Sequence, residues 1–190
     1  MLIKIFLNKK IELDEVAKEI KKCPICIKDK IGKPVPGEGN PNAKIVFIGE
    51  APGKEEAKTG RPFIGRSGKF FRSLLKEIGI NEKEVFITSP VKYLPKRGTP
   101  NVSDILHGRT HLIKQLYVIN PEIIVLMGNV AVRGVLEKSI PVYNKHGKVI
   151  DKEDKKYLIT FHPAAALRFP KIRILFKEDF QKLKKMIGGI

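Results

Sequence analysis

Four short apolar runs, separated by segments of helical periodicity, constrain the fold of this chain most. The runs cover Ile45–Ile48, Val85–Thr88, Ile123–Met127 and residues 157–160. Short runs that are apolar throughout are typical of strands buried on both faces, and their alternation with helices predicts a parallel sheet. We therefore expect an α/β fold: a three-layer α/β/α sandwich with a short central parallel sheet. A length of 190 residues favours a single domain over 1–190.

Capping residues and helical periodicity predict the helices around these strands. The expected helices begin at Asp14 (14–22), at Ser67 (ended by Gly79) and at Ser103 (ended after Ile119), with two more over Asn129–Leu136 and about 175–186. The segment 23–42 is rich in Pro and Gly and is expected to be an ordered excursion from the sandwich.

Two distant segments at predicted strand ends indicate one pocket. The first follows Ile45–Ile48 and reads Gly49, Glu50, Ala51, Pro52, Gly53; the second contains His162, directly after another strand. Ligand sites in open α/β sheets lie beyond the carboxyl ends of the strands. Glycine lets backbone N–H groups approach a ligand, and histidine can donate to developing negative charge. Ordinary turn chemistry and a structural histidine are the alternatives.

Phe63 lies in a glycine-flanked loop, where an aromatic ring either stacks on a base or anchors the loop on the core. Leu167 and Arg168 follow three alanines after His162. An apolar wedge beside an arginine suits insertion into a duplex with a phosphate contact, although the start of a helix is the simpler alternative.

The charge is strongly positive: 37 Lys and Arg stand against 20 Asp and Glu, giving +17. Such an excess favours capture of polyanions, and nucleic acid is the leading partner. Adaptation to heat is the alternative explanation for a lysine excess. The candidate DNA contacts are Arg66, Lys96, Arg97, Leu167 and Arg168.

Membrane association is not expected. No run approaches the ~18 apolar residues that span a bilayer. The apolar segment 1–6 is short and lacks the features of a signal peptide. These features predict a soluble, intracellular (cytoplasmic) protein. A monomer is expected because no surplus apolar patch is visible in the sequence.

The ordered set of motifs resembles the family-four uracil-DNA glycosylases, the thermostable group of the uracil-DNA glycosylase superfamily. The similarity runs from about Cys23 to the C-terminus and leaves residues 1–13 outside. It covers Cys23-x-x-Cys26, residues 37–41 (GEGNP), 49–53 (GEAPG), Glu55-Glu56, 59–66 (TGRPFIGR), Val85–Thr88 and 161–163 (FHP).

This resemblance implies excision of uracil from DNA by hydrolysis of the N-glycosidic bond, after the nucleotide flips out of the duplex. It further implies that His162 donates to uracil O2 as charge develops, assisted by backbone N–H groups near Glu50 and Ala51. Phe63 would stack on the base, and Glu50 would position water or contact substrate. Leu167 and Arg168 would hold the opened duplex.

One departure from the family concerns base recognition. The family carries Asn after the strand that corresponds to Val85–Thr88, and its amide both donates to O4 and accepts from N3–H. Here the residue is Ser89. A hydroxyl is shorter and cannot do both in one plane, so another deaminated base is a second candidate substrate.

The other departure concerns the metal site. The family holds a four-iron, four-sulfur cluster on four cysteines, of which Cys23 and Cys26 match two, with Tyr93 at the third position and His107 at the fourth. The favoured interpretation is loss of the cluster, with packing in its place and no cofactor. The alternatives are an altered cluster, or zinc on Cys23, Cys26, His107 and His111.

Three functions follow from these observations. The leading hypothesis is a DNA glycosylase that acts on deaminated bases and initiates base excision repair. The second is a weak or inactive DNA-binding member of the same fold, and the third is a small-molecule hydrolase that uses Glu50 and His162. The third leaves the positive charge unexplained.

Overall fold

Six strands form the central sheet of the protein. The computed structural model describes the backbone of residues 2–188 and the side chains of residues 8–188. The strands of this sheet lie in the order β2–β4–β3–β6–β8–β7. Their bounds are β2 Glu38–Gly39, β3 Ile45–Ile48, β4 Val85–Thr88, β6 Ile123–Met127, β7 Val149–Lys152 and β8 Lys155–Thr160. A separate antiparallel pair joins β1 (Lys30–Ile31) to β5 (Leu94–Pro95).

The four central strands are parallel, as the apolar runs predict. Ile45 at the start of β3 pairs with Val85 of β4 on one side and with Ile123 of β6 on the other. Every residue of β3, β4 and β6 is buried, because helices cover both faces of the sheet. The predicted α/β sandwich is therefore confirmed.

The two outer strands differ from the prediction. β2 and β7 run antiparallel to their neighbours, so the sheet as a whole is mixed. β2 has two residues and β7 carries Asp151 and Lys152, so neither has the apolar run that marks a buried strand. Short or charged edge strands are a common way of discouraging unwanted pairing.

Two groups of helices cover the sheet, one on each face. The right-handed crossovers from β3 to β4 and from β4 to β6 run in opposite directions along the sheet, which places α4 and α5 on opposite faces. α4 contacts α8, which contacts α9, whereas α5 contacts α1 and α6. The helices are α1 Leu2–Lys22, α2 Pro24–Ile27, α3 Lys54–Thr59, α4 Arg66–Glu77, α5 Val102–Ile119, α6 Asn129–Leu136, α7 Val142–Lys145, α8 Pro163–Arg168 and α9 Pro170–Ile187.

Several predicted helix starts are wrong. Asp14 lies inside α1, and α9 begins at Pro170. α4 is capped by Gly65 rather than Ser67. α5 is capped by Asn101 rather than Ser103, because Asn101 and Asp104 form a reciprocal capping box.

Within residues 2–188, no helix combines the length and the apolar character needed to cross a membrane. The segment 1–6, interpreted above as too short for a signal peptide, has its side chains outside the described residues.

Candidate active site

A cavity of about 240 Å³ lies at the carboxyl end of the parallel strands, where the two predicted segments meet. The structure brings together six of the predicted residues there: Ala51, Pro52, Gly53, Phe63, Ser89 and His162. Five further residues line the cavity without having been predicted: Val35, Glu56, Pro62, Ser67 and Ala164.

Phe63 forms one wall of the cavity. Its backbone is left-handed, with φ at 52°, an uncommon conformation for a bulky side chain. Its ring centroid lies 5.1 Å from that of Phe71 in the core and 5.9 Å from that of His162. Gly49 is predicted as a base contact but does not line the cavity; a Cβ there would lie 2.5 Å from the Phe63 Cζ. Gly49 therefore makes room for the ring.

Helix α4 holds the loop that carries Phe63. Arg72 donates from Nε to the Phe63 carbonyl (3.0 Å) and from Nη2 to the Pro62 carbonyl (2.9 Å). Its guanidinium also pairs with Glu38 and Glu82. Five N–H donors in a rigid fork make arginine suited to such a clamp. The sequence prediction missed Arg72, because periodicity shows only that it belongs to a helix.

His162 lies beside Phe63 and caps the start of α8. Its Nδ1 accepts a hydrogen bond from the Ala164 N–H at 3.2 Å. An accepting Nδ1 leaves the proton of the neutral ring on Nε2, which is then the free donor. Burial lowers the pKa of His162 to about 4, against the opposing effect of the Glu56 carboxylate. The ring is therefore a neutral donor at physiological pH.

Glu56, not Glu50, supplies the carboxylate in the cavity wall. It is buried, and its Oε1 accepts the N–H groups of Ile64 (2.9 Å) and Gly65 (2.8 Å) at the start of α4. Glu50 is half-buried, and burial raises its pKa. The sequence could not choose between these carboxylates, since Glu50 directly follows a strand whereas Glu56 turns inward from α3.

Ser89 is buried at the end of β4 and donates from Oγ to the Val91 carbonyl at 2.8 Å. Its hydroxyl proton is thus committed, and Oγ offers only lone pairs to a ligand. The neighbouring Lys92 is fully buried and donates to Thr88 Oγ1 and Gln115 Oε1, both at 2.7 Å. Burial lowers the pKa of Lys92 to about 7.

The candidate DNA contacts fall into two groups. Arg66 and Arg168 are exposed and Leu167 is half-buried, all on helices that begin beside the base cavity. Arg168 lies over the exposed Phe169 ring, 5.2 Å from its centroid. Lys96 and Arg97 are also exposed, but they line a different cavity of about 690 Å³.

A second cluster of functional side chains lies outside the base cavity. The ligand atoms of Cys23, Cys26, His107 and His111 all lie within 4.8 Å of one another, a grouping that could hold a metal ion. Tyr93 is buried beside Cys26, Val16 and Ile20. From the sequence this group is only an alternative to the favoured loss of the cluster, with His111 one helical turn after His107.

Comparison with known proteins places the chain in a family. The family model described as "Uracil DNA glycosylase superfamily" matches residues 36–185. The chain belongs to this superfamily. The matched segment includes every residue of the base cavity except Val35, which lies one position before the segment begins.

Several curated relatives cover most of the chain. The type-4 uracil-DNA glycosylase of Saccharolobus solfataricus is 40% identical over 93% of this chain and 87% of that protein. The type-4 enzyme of Thermotoga maritima is 38% identical over 93% and 95%. A type-5 uracil-DNA glycosylase of Pyrobaculum aerophilum is more distant, at 27% identity over 70% of this chain and 66% of that protein.

Proposed function

We propose that this protein is a uracil-DNA glycosylase that hydrolyses the bond between uracil and deoxyribose in DNA. The observation that carries the proposal is the pair of Phe63 and His162. A ring for stacking and a neutral histidine with a free Nε2–H line the same cavity at the carboxyl edge of the sheet, their ring centroids 5.9 Å apart. The likeness to type-4 enzymes over most of the chain supports it.

The reaction follows from these groups. A flipped uracil stacks on Phe63, which contributes roughly 1–3 kcal/mol toward the cost of unstacking. The C1′–N1 bond breaks with its electron pair going to N1, and the His162 Nε2–H donates to O2 as negative charge spreads over the ring. Water then adds to C1′ and loses a proton, leaving an abasic deoxyribose, and the departing uracil anion takes up a proton to give free uracil.

Glu56 is our candidate for the group that positions this water. Its Oε1 is held by two backbone N–H groups, which leaves Oε2 to accept a hydrogen bond from the water and later its proton. The same role, expected of Glu50 from the sequence, has less support because Glu50 does not contribute to the cavity wall.

Ser89 sets the specificity of the proposed site. With its proton donated to Val91, Oγ can accept from the N3–H of uracil but cannot donate to O4. The N–H beside a carbonyl is shared by uracil and hypoxanthine, so hypoxanthine is the second substrate to test.

DNA is the proposed partner. The exposed Arg66 and Arg168 lie on α4 and α8, which also carry the cavity residues Ser67 and Ala164, and would contact phosphates, with Leu167 as the wedge. Lys96 and Arg97 would extend the contact along the DNA strand. A monomer and a single domain remain predictions.

For the cofactor, the Cys–His group supports a bound metal away from the base. None of its four residues lines the base cavity, so each chemical step is assigned to the cavity's own side chains.

The test is an excision assay on labelled oligonucleotides that carry one uracil opposite G, opposite A, or unpaired, with a matched hypoxanthine set. Alkali reveals abasic sites. We expect excision at uracil and a loss of about 10²–10³-fold for His162→Ala. DNA binding without excision on any substrate would favour the inactive DNA-binding function instead.

A further inference from the structure

The cluster of Cys23, Cys26, His107 and His111 joins three elements of the chain. Cys23 follows α1 and Cys26 lies in α2, whereas both histidines lie one turn apart on α5. Cys26 and His111 are buried and the other two are half-buried. The cluster therefore lies where α1 and α2 pack against α5.

His111 is the unusual member of this cluster. It is 7% exposed, and neither ring nitrogen has a hydrogen-bond partner among the described residues. Buried polar groups are nearly always hydrogen-bonded, since an unpaired one costs about 1–3 kcal/mol. A buried imidazole aimed at two thiols and a second imidazole is satisfied by a metal ion.

A four-iron cluster does not fit these residues. Its ligands are four thiolates, whereas this chain has two cysteines in all. The third cysteine position is filled by the buried phenol of Tyr93, whose hydroxyl points to the Lys21 carbonyl 3.5 Å away. A cubane also separates its ligands more widely than a single ion does.

A two-iron cluster with two Cys and two His ligands does not fit the positions of the ligands, because a cysteine lies beside a histidine. In such a cluster the thiolates bind one iron and the imidazoles bind the other. Here Cys23 Sγ lies 3.1 Å from His107 Nε2. A thiolate and an imidazole this close belong to the same ion.

We propose that Cys23, Cys26, His107 and His111 bind a single zinc ion, which replaces the cluster of the related enzymes. Zn–S bonds of about 2.3 Å and Zn–N bonds of about 2.0–2.1 Å give a tetrahedron with edges of about 3.3–3.8 Å. The four ligand atoms all lie within 4.8 Å of one another, about 1 Å beyond the longest of these edges, so small side-chain rotations would bring them onto one ion. Two thiolates with two imidazoles are a closed structural zinc set.

The ion would cross-link residues that are 84 positions apart in sequence. The unfolded chain does not hold these ligands together, so zinc binding adds to the stability of the folded state. Glu19 Oε2 lies 3.8 Å from His111 Nδ1. If Nε2 of His111 binds the zinc, its Nδ1–H is on the side of this carboxylate, and such carboxylates orient zinc-bound imidazoles.

The first experiment measures metal content in the full chain, purified without an affinity tag and without oxygen. We expect one zinc per chain, and a cobalt-substituted protein with the visible spectrum of a tetrahedral thiolate site. Iron with acid-labile sulfide in stoichiometric amount overturns the proposal. So does a protein that binds neither Zn²⁺ nor Co²⁺ when the ion is added to the reduced, metal-free chain.

The second experiment compares His111→Leu with Tyr93→Phe, which leaves all four ligands in place. If the site holds zinc, the His111→Leu variant should lose the metal and have a lower Tm than the parent chain. A chelator should then lower the Tm of the parent chain but leave that of His111→Leu unchanged. If the cluster holds no metal, His111→Leu should instead raise Tm, because leucine removes two unpaired buried nitrogens. An unchanged or raised Tm for His111→Leu contradicts the proposal. Tyr93→Phe is expected to keep one zinc.

Discussion

At the scale of single residues, the base site depends on which atoms remain free for a ligand. His162 uses Nδ1 locally and offers Nε2–H, Glu56 uses Oε1 locally and offers Oε2, and Ser89 uses its proton locally and offers Oγ. Each of these local hydrogen bonds limits the hydrogen bonds that the side chain can make to a bound base. The three groups give one donor and two acceptors around a stacked ring.

Phe63→Ala is expected to slow uracil excision by about 5- to 150-fold, the equivalent of 1–3 kcal/mol of lost stacking. Gly49→Ala should slow it by a similar factor, since its Cβ would displace the Phe63 ring. Single-turnover excision measures both, with Gly188→Ala as a control that meets only ordinary contacts. Full activity of Gly49→Ala would show that the ring need not occupy this position.

The pH profile tests the state of His162. Because its folded pKa is about 4, below the ordinary 6.5, the donor stays neutral as pH falls from about 8 to 5.5. We expect no loss of the single-turnover rate over that range. Between about 4 and 6.5 the unfolded chain takes up the proton first, so this group makes stability rise with pH there. A rate that falls with a midpoint near 6.5 would contradict the assignment.

Ser89→Asn restores an amide that donates and accepts in one plane. We expect a several-fold higher preference for uracil over hypoxanthine, in line with one added hydrogen bond of about 0.5–1.5 kcal/mol. The ratio of excision rates on the two substrates measures this. Ser89→Ala is the comparison, since it removes the acceptor; an unchanged ratio in both variants would exclude position 89 from base recognition.

At the scale of elements, the sequence could predict the four central strands because burial on both faces makes them apolar throughout. It could not predict β2 or β7, whose positions come from pairing with β4 and β8 rather than from their own composition. The pocket segments were predictable because they directly follow strands. Glu56 was not, since whether a helical carboxylate faces the cavity depends on how α3 packs.

Helix α4 positions the Phe63 loop in two ways. Gly68 lets the helix lie against the Phe63 backbone, since a Cβ there would overlap the carbonyl, and Arg72 holds the loop by hydrogen bonds. Arg72→Ala is expected to slow excision by about tenfold or more, and Arg72→Lys to recover little, because lysine has no planar fork.

The matched control for this prediction is Lys76→Ala, an exposed lysine one turn further along α4. A 2-aminopurine beside the uracil reports base flipping separately from bond cleavage. We expect Arg72→Ala to weaken the flipped state while Lys76→Ala leaves it unchanged. Equal effects of the two variants would mean that loss of charge, not loss of the clamp, is responsible.

At the scale of the whole molecule, the charge of +17 becomes meaningful only through its distribution around the sheet. The base cavity and the starts of α4 and α8 lie at the carboxyl edge of the parallel strands. Lys83 and Lys152 are exposed at the opposite, amino edge, just before β4 and β8. Removing two positive charges at one edge can therefore be compared with removing two at the other.

Salt dependence of DNA binding distinguishes the edges. Each phosphate contact contributes a slope of about −0.9 to log K against log salt on duplex DNA. The double variant Arg66→Ala with Arg168→Ala should therefore flatten the slope by about 1.8, whereas Lys83→Ala with Lys152→Ala should change it little. Binding titrations at several salt concentrations, on a duplex with a non-hydrolysable uracil analogue, measure both. Equal flattening by the two pairs would mean that the positive charge acts as a diffuse field and that the carboxyl edge is not the DNA-binding face.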